Sequence, residues 1–423
     1  MRSQAQGYTV VTGDDGLPIY DDDKIYDGKY DEGVSDQSEE NFDKEFENVQ
    51  IDGEIPWPER MQKALEQLTQ SSMLETSQLG MLVYDLTDDR MLFRYNDRQL
   101  MRPASVMKVV TAITALDCLG KDYMFRTMLY YTGTIKGDTL NGDLYCVGGF
   151  DPAFSTEDMN AFVECIQREG ITKINGRLVA DVSMKDTKEY GEGWCWDDDN
   201  SVLTPLLINK RDEFLETFRS ALSKKGITVN GYLSTGTLPA KAVQLCGRYH
   251  SIETVLERMM KKSDNLYAEA MLYQVAASNN RRNATAKDAA TITRRLINSI
   301  GLDGAKYKIA DGSGLSLYNY ISAELLVQLL RYGYRNKDIY SRLLPSLPIA
   351  GEDGTLKSRM KSGYAKGNVE AKTGTVTAVS SLAGYAQVYN GHQLCFAIIN
   401  NGVLRAGEAR AFQDKVCQII CAP

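Results

Sequence analysis

The sequence predicts an α+β fold: one antiparallel sheet closed by both chain ends, carried on a domain that a smaller α/β domain interrupts. Three observations point there. A strand hairpin stands near the start of the folded part, a strand meander lies near the end with helices between, and from about 125 to 244 the texture changes to mixed strand and helix with many Gly turns. The expected units are an acidic disordered tail over 1–55, an interrupted domain over 56–124 and 245–423, and an insertion over 125–244.

Residues 1–55 are rich in Asp, Glu, Gly and Tyr, with Asp21, Asp22 and Asp23 in a row and no sustained period. Pro56 and Pro58 around Trp57 mark the start of folded material. Met61, Leu65 and Leu68 have helical spacing, and Gly80 to Leu86 and Met91 to Tyr95 read as strands around the polar turn Thr87-Asp88-Asp89-Arg90. After Pro103, Val106, Val109, Val110, Ile113 and Leu116 share one helix face, and Gly120 stops it.

Inside the insertion one phrase occurs twice. An amphipathic helix leads to Gly170-Ile171-Thr172 and Asn175-Gly176, then a second leads to Gly226-Ile227-Thr228 and Asn230-Gly231, which implies two related halves. Helical spacing resumes at Ile252, Val255, Leu256 and Met259, and again from Leu266 to about Ala277. Strands follow near Val369 to Thr373, Ser381 to Tyr389 and Gln393 to Asn400, with an Asn390-Gly391 hairpin signal, and a helix runs from about Ala406 to Ile420.

A chain of 423 residues, 43% hydrophobic and 25% charged, is an ordinary globular balance that excludes a disulfide miniprotein and a collagen-like chain. The first sixty residues hold 17 Asp/Glu against 5 Lys/Arg, so they carry −12 of the total −8 and the rest carries +4. No basic run or stripe exists, so nothing predicts nucleic-acid binding. From Thr373 to Leu404 there is no Asp, Glu, Lys or Arg, but polar residues interrupt the stretch and it reads as buried sheet. No leader pattern opens the sequence, which fits a cytoplasmic protein or a chain numbered after a removed leader. Eight cysteines without a CxxC pair, beside His250 and His392 alone, give no Cys/His zinc pattern, and the sequence calls for no metal and no cofactor. The even count permits disulfides; buried free thiols are the alternative.

Two histidines in unpromising places argue against a Ser-His-Asp triad, so any serine nucleophile needs another base. Ser105-Val106-Met107-Lys108 offers one: at i and i+3 on a helix the two side chains stack, and burial lowers a lysine's pKa toward that of a useful base. Alone the pattern is weak, because Ser358 to Lys361 repeats it. Its companions decide. Ser263-Asp264-Asn265 follows a helix and Lys372-Thr373-Gly374 lies on an expected strand, and SxxK, SDN and KTG in that order are the signature set of class A β-lactamases and penicillin-binding proteins. Ser278-Asn279-Asn280 and Lys361-Ser362-Gly363 imitate two members but lack the helix and strand context.

The stretches PASVMK, VGGFDPAFSTED, KSDNLYAEAML, DGSGLSLYNYIS, PIAGEDGTLKSRM and AKTGTVTAVSSLAGY resemble the D-alanyl-D-alanine carboxypeptidase/endopeptidase family, the class C low-molecular-mass penicillin-binding proteins. The resemblance runs from about Trp57 to the C-terminus. It implies a penicillin-binding transpeptidase/β-lactamase-like domain, a five-stranded antiparallel sheet with helices, interrupted in the 158 positions between Ser105 and Ser263. It further implies a serine DD-peptidase of peptidoglycan stem peptides, located in the periplasm or cell envelope and acylated by β-lactam antibiotics. By position, Ser105 would be the nucleophile, Lys108 its base, and Ser263 the relay to the leaving D-Ala amine. Asn265 would bind the substrate peptide, Lys372 and Thr373 its carboxylate, and Gly374 would let its backbone lie close. Ser105 and Thr375 N–H groups would form the oxyanion hole. Asp311-Gly312-Ser313-Gly314 reads as a tight turn supporting the site, and Trp194 and Trp196 near Asp197 to Asp199 as an anchored loop or a glycan surface. A serine β-lactamase shares the signature, but no Glu-x-x-x-Asn deacylation pattern lies between SDN and KTG; a non-catalytic peptidoglycan- or penicillin-binding module is a further alternative.

Overall fold

The computed structural model describes residues 55–195, 200–278 and 282–423. The tail expected over 1–55 therefore lies, but for its last residue, outside the described residues, as do Trp196 and Asp197 to Asp199. In the first sheet β1 (Gln78–Asp85) and β2 (Arg90–Tyr95) form the expected hairpin, and β12 (Val369–Val376), β13 (Val379–Gln387) and β14 (Gln393–Asn401) the expected meander. The order is β12-β13-β14-β1-β2, antiparallel throughout, with β14 beside β1 so that the two chain ends close one sheet.

Both faces of that sheet are covered because its strands are apolar at successive positions rather than alternate ones. Leu82, Tyr84, Ala397 and Ile399 pack on one side with helix residues Val106, Val110, Leu272 and Leu326. Met81, Val83, Phe396 and Ile398 pack on the other with Leu65, Phe412 and Val416. The first face receives α2 (Met107–Leu119), α6 (Asn265–Ala276) and α8 (Ala323–Arg335); the second receives α1 (Glu59–Leu68) and α10 (Ala406–Cys421). The charge-poor stretch from Thr373 to Leu404 is thus a doubly covered sheet, and among the described residues no helix is long and apolar enough to cross a membrane.

Between the sheet's two halves, β3 (Met124–Tyr131), β6 (Leu144–Gly148), β8 (Leu178–Asp181), β10 (Leu233–Thr235) and β11 (Val243–Ser251) make a second five-stranded sheet, and β4 (Thr134–Lys136), β5 (Thr139–Asn141), β7 (Lys173–Ile174) and β9 (Thr228–Val229) a four-stranded one. The position expected as a boundary, between 244 and 245, lies inside β11, which pairs with β3 from Val243↔Tyr131 to Ser251↔Met124.

The repeated phrase is visible as geometry. The helices α3 (Thr156–Arg168) and α4 (Phe214–Lys224) each lead into a strand pair, and the pairs run parallel, Lys173↔Thr228 and Leu178↔Leu233. A third Asn-Gly joins the stack: Asn175 Nδ2 donates to Asn141 Oδ1 at 3.1 Å and Asn230 Nδ2 to Asn175 Oδ1 at 2.7 Å. The stacking brings backbones so close that a Cβ on Gly176 would sit 2.0 Å from the Gly142 carbonyl oxygen, and one on Gly231 2.1 Å from that of Gly176. Three further helices, α7 (Ala286–Ser299), α8 and α9 (Lys337–Ser346), have no counterpart in the sequence reading; α5 (Ile252–Lys261) does. Cys146, Cys165, Cys395, Cys417 and Cys421 are buried thiols, outside any disulfide. Asp85, Asp88 and His392 bring ligand-type atoms within 4.8 Å of one another, but Asp85 already accepts from the Thr87 and Asp88 N–H groups and meets His392 Nδ1, bonds that brace two hairpin turns.

Gly176→Ala should destabilise the protein by about 1–3 kcal/mol, the usual cost of overpacking. A lower urea midpoint with unchanged slope is the expected reading.

Candidate active site

Pro103 ends an extended segment, Ala104 to Val106 form a single 3-10 turn, and α2 begins at Met107. This puts Ser105 at the mouth of α2 and Lys108 in its first turn. Ala104 has φ 49°, a left-handed conformation that costs a non-glycine residue about 1–3 kcal/mol and persists where the surroundings fix it. They do so from two sides. Ser381 Oγ donates to the Pro103 carbonyl, and Gly314, itself at φ 84°, lies so near that a Cβ would be 1.9 Å from the Ala104 oxygen.

The Lys108 Nζ is buried and reaches three groups on three elements: Ser105 Oγ at 3.1 Å, Asn265 Oδ1 at 2.7 Å and the Ser313 carbonyl at 2.9 Å. As an ammonium it donates to all three. As an amine it keeps two protons for the two carbonyl-type oxygens, and its lone pair faces the Ser105 hydroxyl. Burial brings the second state within reach: it pushes the Lys108 pKa down to about 8, against the opposing pull of Asp311, Glu269 and Asp264.

Ser263 is also left-handed, φ 58°, at the junction between α5 and α6. Its Oγ accepts from Lys372 Nζ at 2.9 Å, and the same Nζ donates to the Thr373 carbonyl at 2.7 Å. Burial, with Lys108 nearby, holds Lys372 well below the usual lysine range. Asp264 caps α6 and, although burial works against its charge, Lys210 at 3.0 Å and Arg258 at 2.9 Å keep its carboxyl below the usual range. Lys210 comes from the segment between β8 and β11, which is thereby tied to the second motif.

The strand β12 is the sheet's edge. The Ala371 N–H points outward, to the Pro348 carbonyl, and antiparallel alternation sends the Thr373 and Thr375 N–H groups out on the same side. Thr373 Oγ1 donates to Thr355 Oγ1 at 2.7 Å. Gly374 is required by this chain's own packing: a Cβ there would meet Ser381 Oγ at 2.3 Å, Ser105 N at 2.8 Å and Val106 N at 2.9 Å. The edge strand thus lies directly against the backbone of the serine turn, a reason for glycine other than substrate approach.

Under Lys108 sits the turn Asp311 to Gly314. The buried Asp311 carboxylate accepts from the Gly314 and Ser316 N–H groups, Asn319 Nδ2 and Trp194 Nε1. Trp194 is therefore an anchor, in agreement with one of the two readings of its loop.

Comparison with known proteins places this geometry. The D-Ala-D-Ala carboxypeptidase 3 (S13) family profile matches residues 61–208 and 206–421. The chain belongs to that family. It is 26% identical over 414 residues to the D-alanyl-D-alanine carboxypeptidase DacB of Haemophilus influenzae, covering 78% of this chain and 86% of that one. It is 26% identical over 455 residues to the D-alanyl-D-alanine carboxypeptidase of Actinomadura sp. (strain R39), covering 84% and 83%. Penicillin binding protein 4 (dacB) from Haemophilus influenzae shares the fold, with a TM-score of 0.78 at 23% identity over 85% of this chain and 99% of that one. A complex of the same protein with a β-lactam aligns with a TM-score of 0.70 at 25% identity, covering 83% and 97%.

In this S13 peptidase direct hydrogen bonds join Ser105 and Asn265 to Lys108, and Ser263 to Lys372, with Thr373, Gly374 and Thr375 on the same edge strand as Lys372. Asn265 does more than the sequence reading assigned, because its Oδ1 holds the lysine. The reading missed Glu269, Lys210 and Asn200, whose Oδ1 accepts from Asn265 Nδ2 at 3.3 Å. Glu269 had a signal: it is the single charged residue within the helix sequence NLYAEAMLYQVA. Lys210 and Asn200 had none, since their partners are distant in sequence.

With selectively labelled lysines, Lys108 should titrate near 8 by NMR, against about 10.4 for an exposed lysine. A titration at the exposed value would remove its distinction as a base.

Proposed function

We propose that this S13 peptidase is a serine DD-peptidase that cleaves peptidoglycan stem peptides through an acyl-enzyme on Ser105. The observation that carries the reading is the buried Lys108 Nζ, 3.1 Å from Ser105 Oγ. Neutral Lys108 takes the hydroxyl proton as Ser105 attacks the carbonyl carbon of the penultimate D-Ala. The negative oxygen that forms is met by the N–H groups of Ser105 and Thr375, a contribution of about 3 kcal/mol per donor in other enzymes. As the C–N bond breaks, Ser263 passes its proton to the leaving amine and is reprotonated from the lysine side, where Lys372 Nζ lies 2.9 Å away. Water then attacks the ester in the reverse sense and frees Ser105.

Substrate binding follows from the edge strand. The outward N–H groups of Thr373 and Thr375 suit an extended peptide added to the sheet, with its carboxylate at Lys372 and Thr373 and its backbone amide at Asn265. A β-lactam presents an amide and a carboxylate in the same relation, so it acylates Ser105 and inhibits. Peptidoglycan stem peptides as substrate put the working place of the protein in the cell envelope. The catalytic unit we assign to 56–124 and the chain after β11, and the inserted unit to β3 through β11.

Two tests follow. Incubation with muropeptides should release one D-Ala per pentapeptide, cleave crosslinked dimers, or both, by mass analysis, and Ser105→Ala should reduce either activity to background. Rapid penicillin hydrolysis without any such release would make the protein a β-lactamase instead. Because the base must be neutral, the acylation rate with a fluorescent penicillin should rise about tenfold per pH unit from pH 6 and level off past about 8. A rate independent of pH over that range would contradict Lys108 as base.

A further inference from the structure

The catalytic steps leave one buried ionisable group unused. Glu269 stands on α6 four residues after Asn265, hence on the same helix face, and is 1% exposed. Among the described residues no Lys, Arg or His pairs with it. Its Oε1 accepts instead from two successive backbone groups, Gly312 N–H at 3.0 Å and Ser313 N–H at 2.8 Å. The other side of the same backbone is held by α2: the Gly312 carbonyl accepts from Thr111 Oγ1 at 2.7 Å and the Ser313 carbonyl from Lys108 Nζ at 2.9 Å. The Gly312–Ser313 backbone is clamped between two helices, and its final carbonyl is one of the three groups that fix the lysine.

We propose that Glu269 is a positioning residue for Lys108, its buried carboxyl pinning the Gly312–Ser313 backbone so that the Ser313 carbonyl meets the lysine nitrogen. The inference rests on the reading of Lys108 as the base. A shorter or apolar side chain leaves two buried N–H groups without an acceptor, and the turn relaxes away from α2. The same carboxyl acts on the lysine electrostatically. Burial pushes Glu269 up to about 8, with Asp311 adding to the shift, so it exchanges its proton in the range where Lys108 does. When charged it raises the proton affinity of Lys108. The other groups around the pair are Asp311 from the turn, Tyr273 one helical turn on, and Asp264 and Lys372 beyond the lysine.

Two variants separate position from charge. Glu269→Gln keeps an acceptor oxygen and removes the charge; Glu269→Leu removes both. The Gln variant should keep the plateau kcat for D-Ala release within about threefold, with the acid limb of its pH profile moved to lower pH. The Leu variant should lose about ten- to hundredfold in kcat, with KM within about twofold of wild type. A folded Leu variant with wild-type kcat, or a Gln variant whose acid limb stays in place, would overturn the proposal; if the Leu variant does not fold, the Gln limb decides. NMR titration of Lys108 in wild type and Glu269→Gln, without substrate, gives a readout independent of turnover. A shift to lower pH in the variant supports the proposal and no shift overturns it. Absence of D-Ala release from wild type, with that shift present, would count against the peptidase reading alone.

Discussion

The site is organised around one buried nitrogen. Lys108 Nζ is taken out of water by α2, α6 and the 311–314 turn, and it is tolerable there only because Ser105 Oγ, Asn265 Oδ1 and the Ser313 carbonyl surround it. Each of those partners is fixed in turn. Ser105 lies against Gly374 of the edge strand, Asn265 opens α6 with Asp264 as its cap, and the Gly312–Ser313 backbone is clamped between Thr111 and Glu269. Moving any one element displaces the lysine, which explains why motifs 158 positions apart in sequence form one constellation.

Backbone strain is concentrated where those motifs meet. Ala104 and Ser263, one before the first serine and the other the second serine itself, both have positive φ. The surrounding contacts over-determine them: Ser381 and Gly314 crowd Ala104, and Lys372 holds Ser263 Oγ. Positive charge is arranged with equal care. Lys108 and Lys372 are both buried, which lowers the hold of each on a proton; Lys108 lowers that of Lys372 further, while Asp311, Glu269 and Asp264 work against the loss from Lys108.

Much of this was legible in the residues, for physical reasons. The β1–β2 hairpin and the β13–β14 turn announced themselves by apolar runs around polar turns, and α2 by its apolar face and Gly120 stop. The three motifs were found because their chemistry is local: four residues for SxxK, three each for SDN and KTG. Helices α7 and α8 also carry readable starts, in Thr285 with Asp288 and in Ser322. What no periodicity could supply is long-range pairing. Lys210 with Asp264, Trp194 with Asp311 and the fit of Gly374 against Ser105 depend on elements brought together only by the fold. The third Asn-Gly at 141–142 escaped because its flanking strands lack the helix that precedes the other two.

The central claim is that the buried lysine makes Ser105 a nucleophile, and covalent capture tests it most directly. Intact-mass measurement of the protein treated with benzylpenicillin, followed by peptide mapping, should show one added penicilloyl group on the peptide that contains Ser105. Lys108→Met should abolish the adduct while leaving the fold intact by circular dichroism. An adduct on any other residue, or one that forms at the wild-type rate without Lys108, would contradict the account.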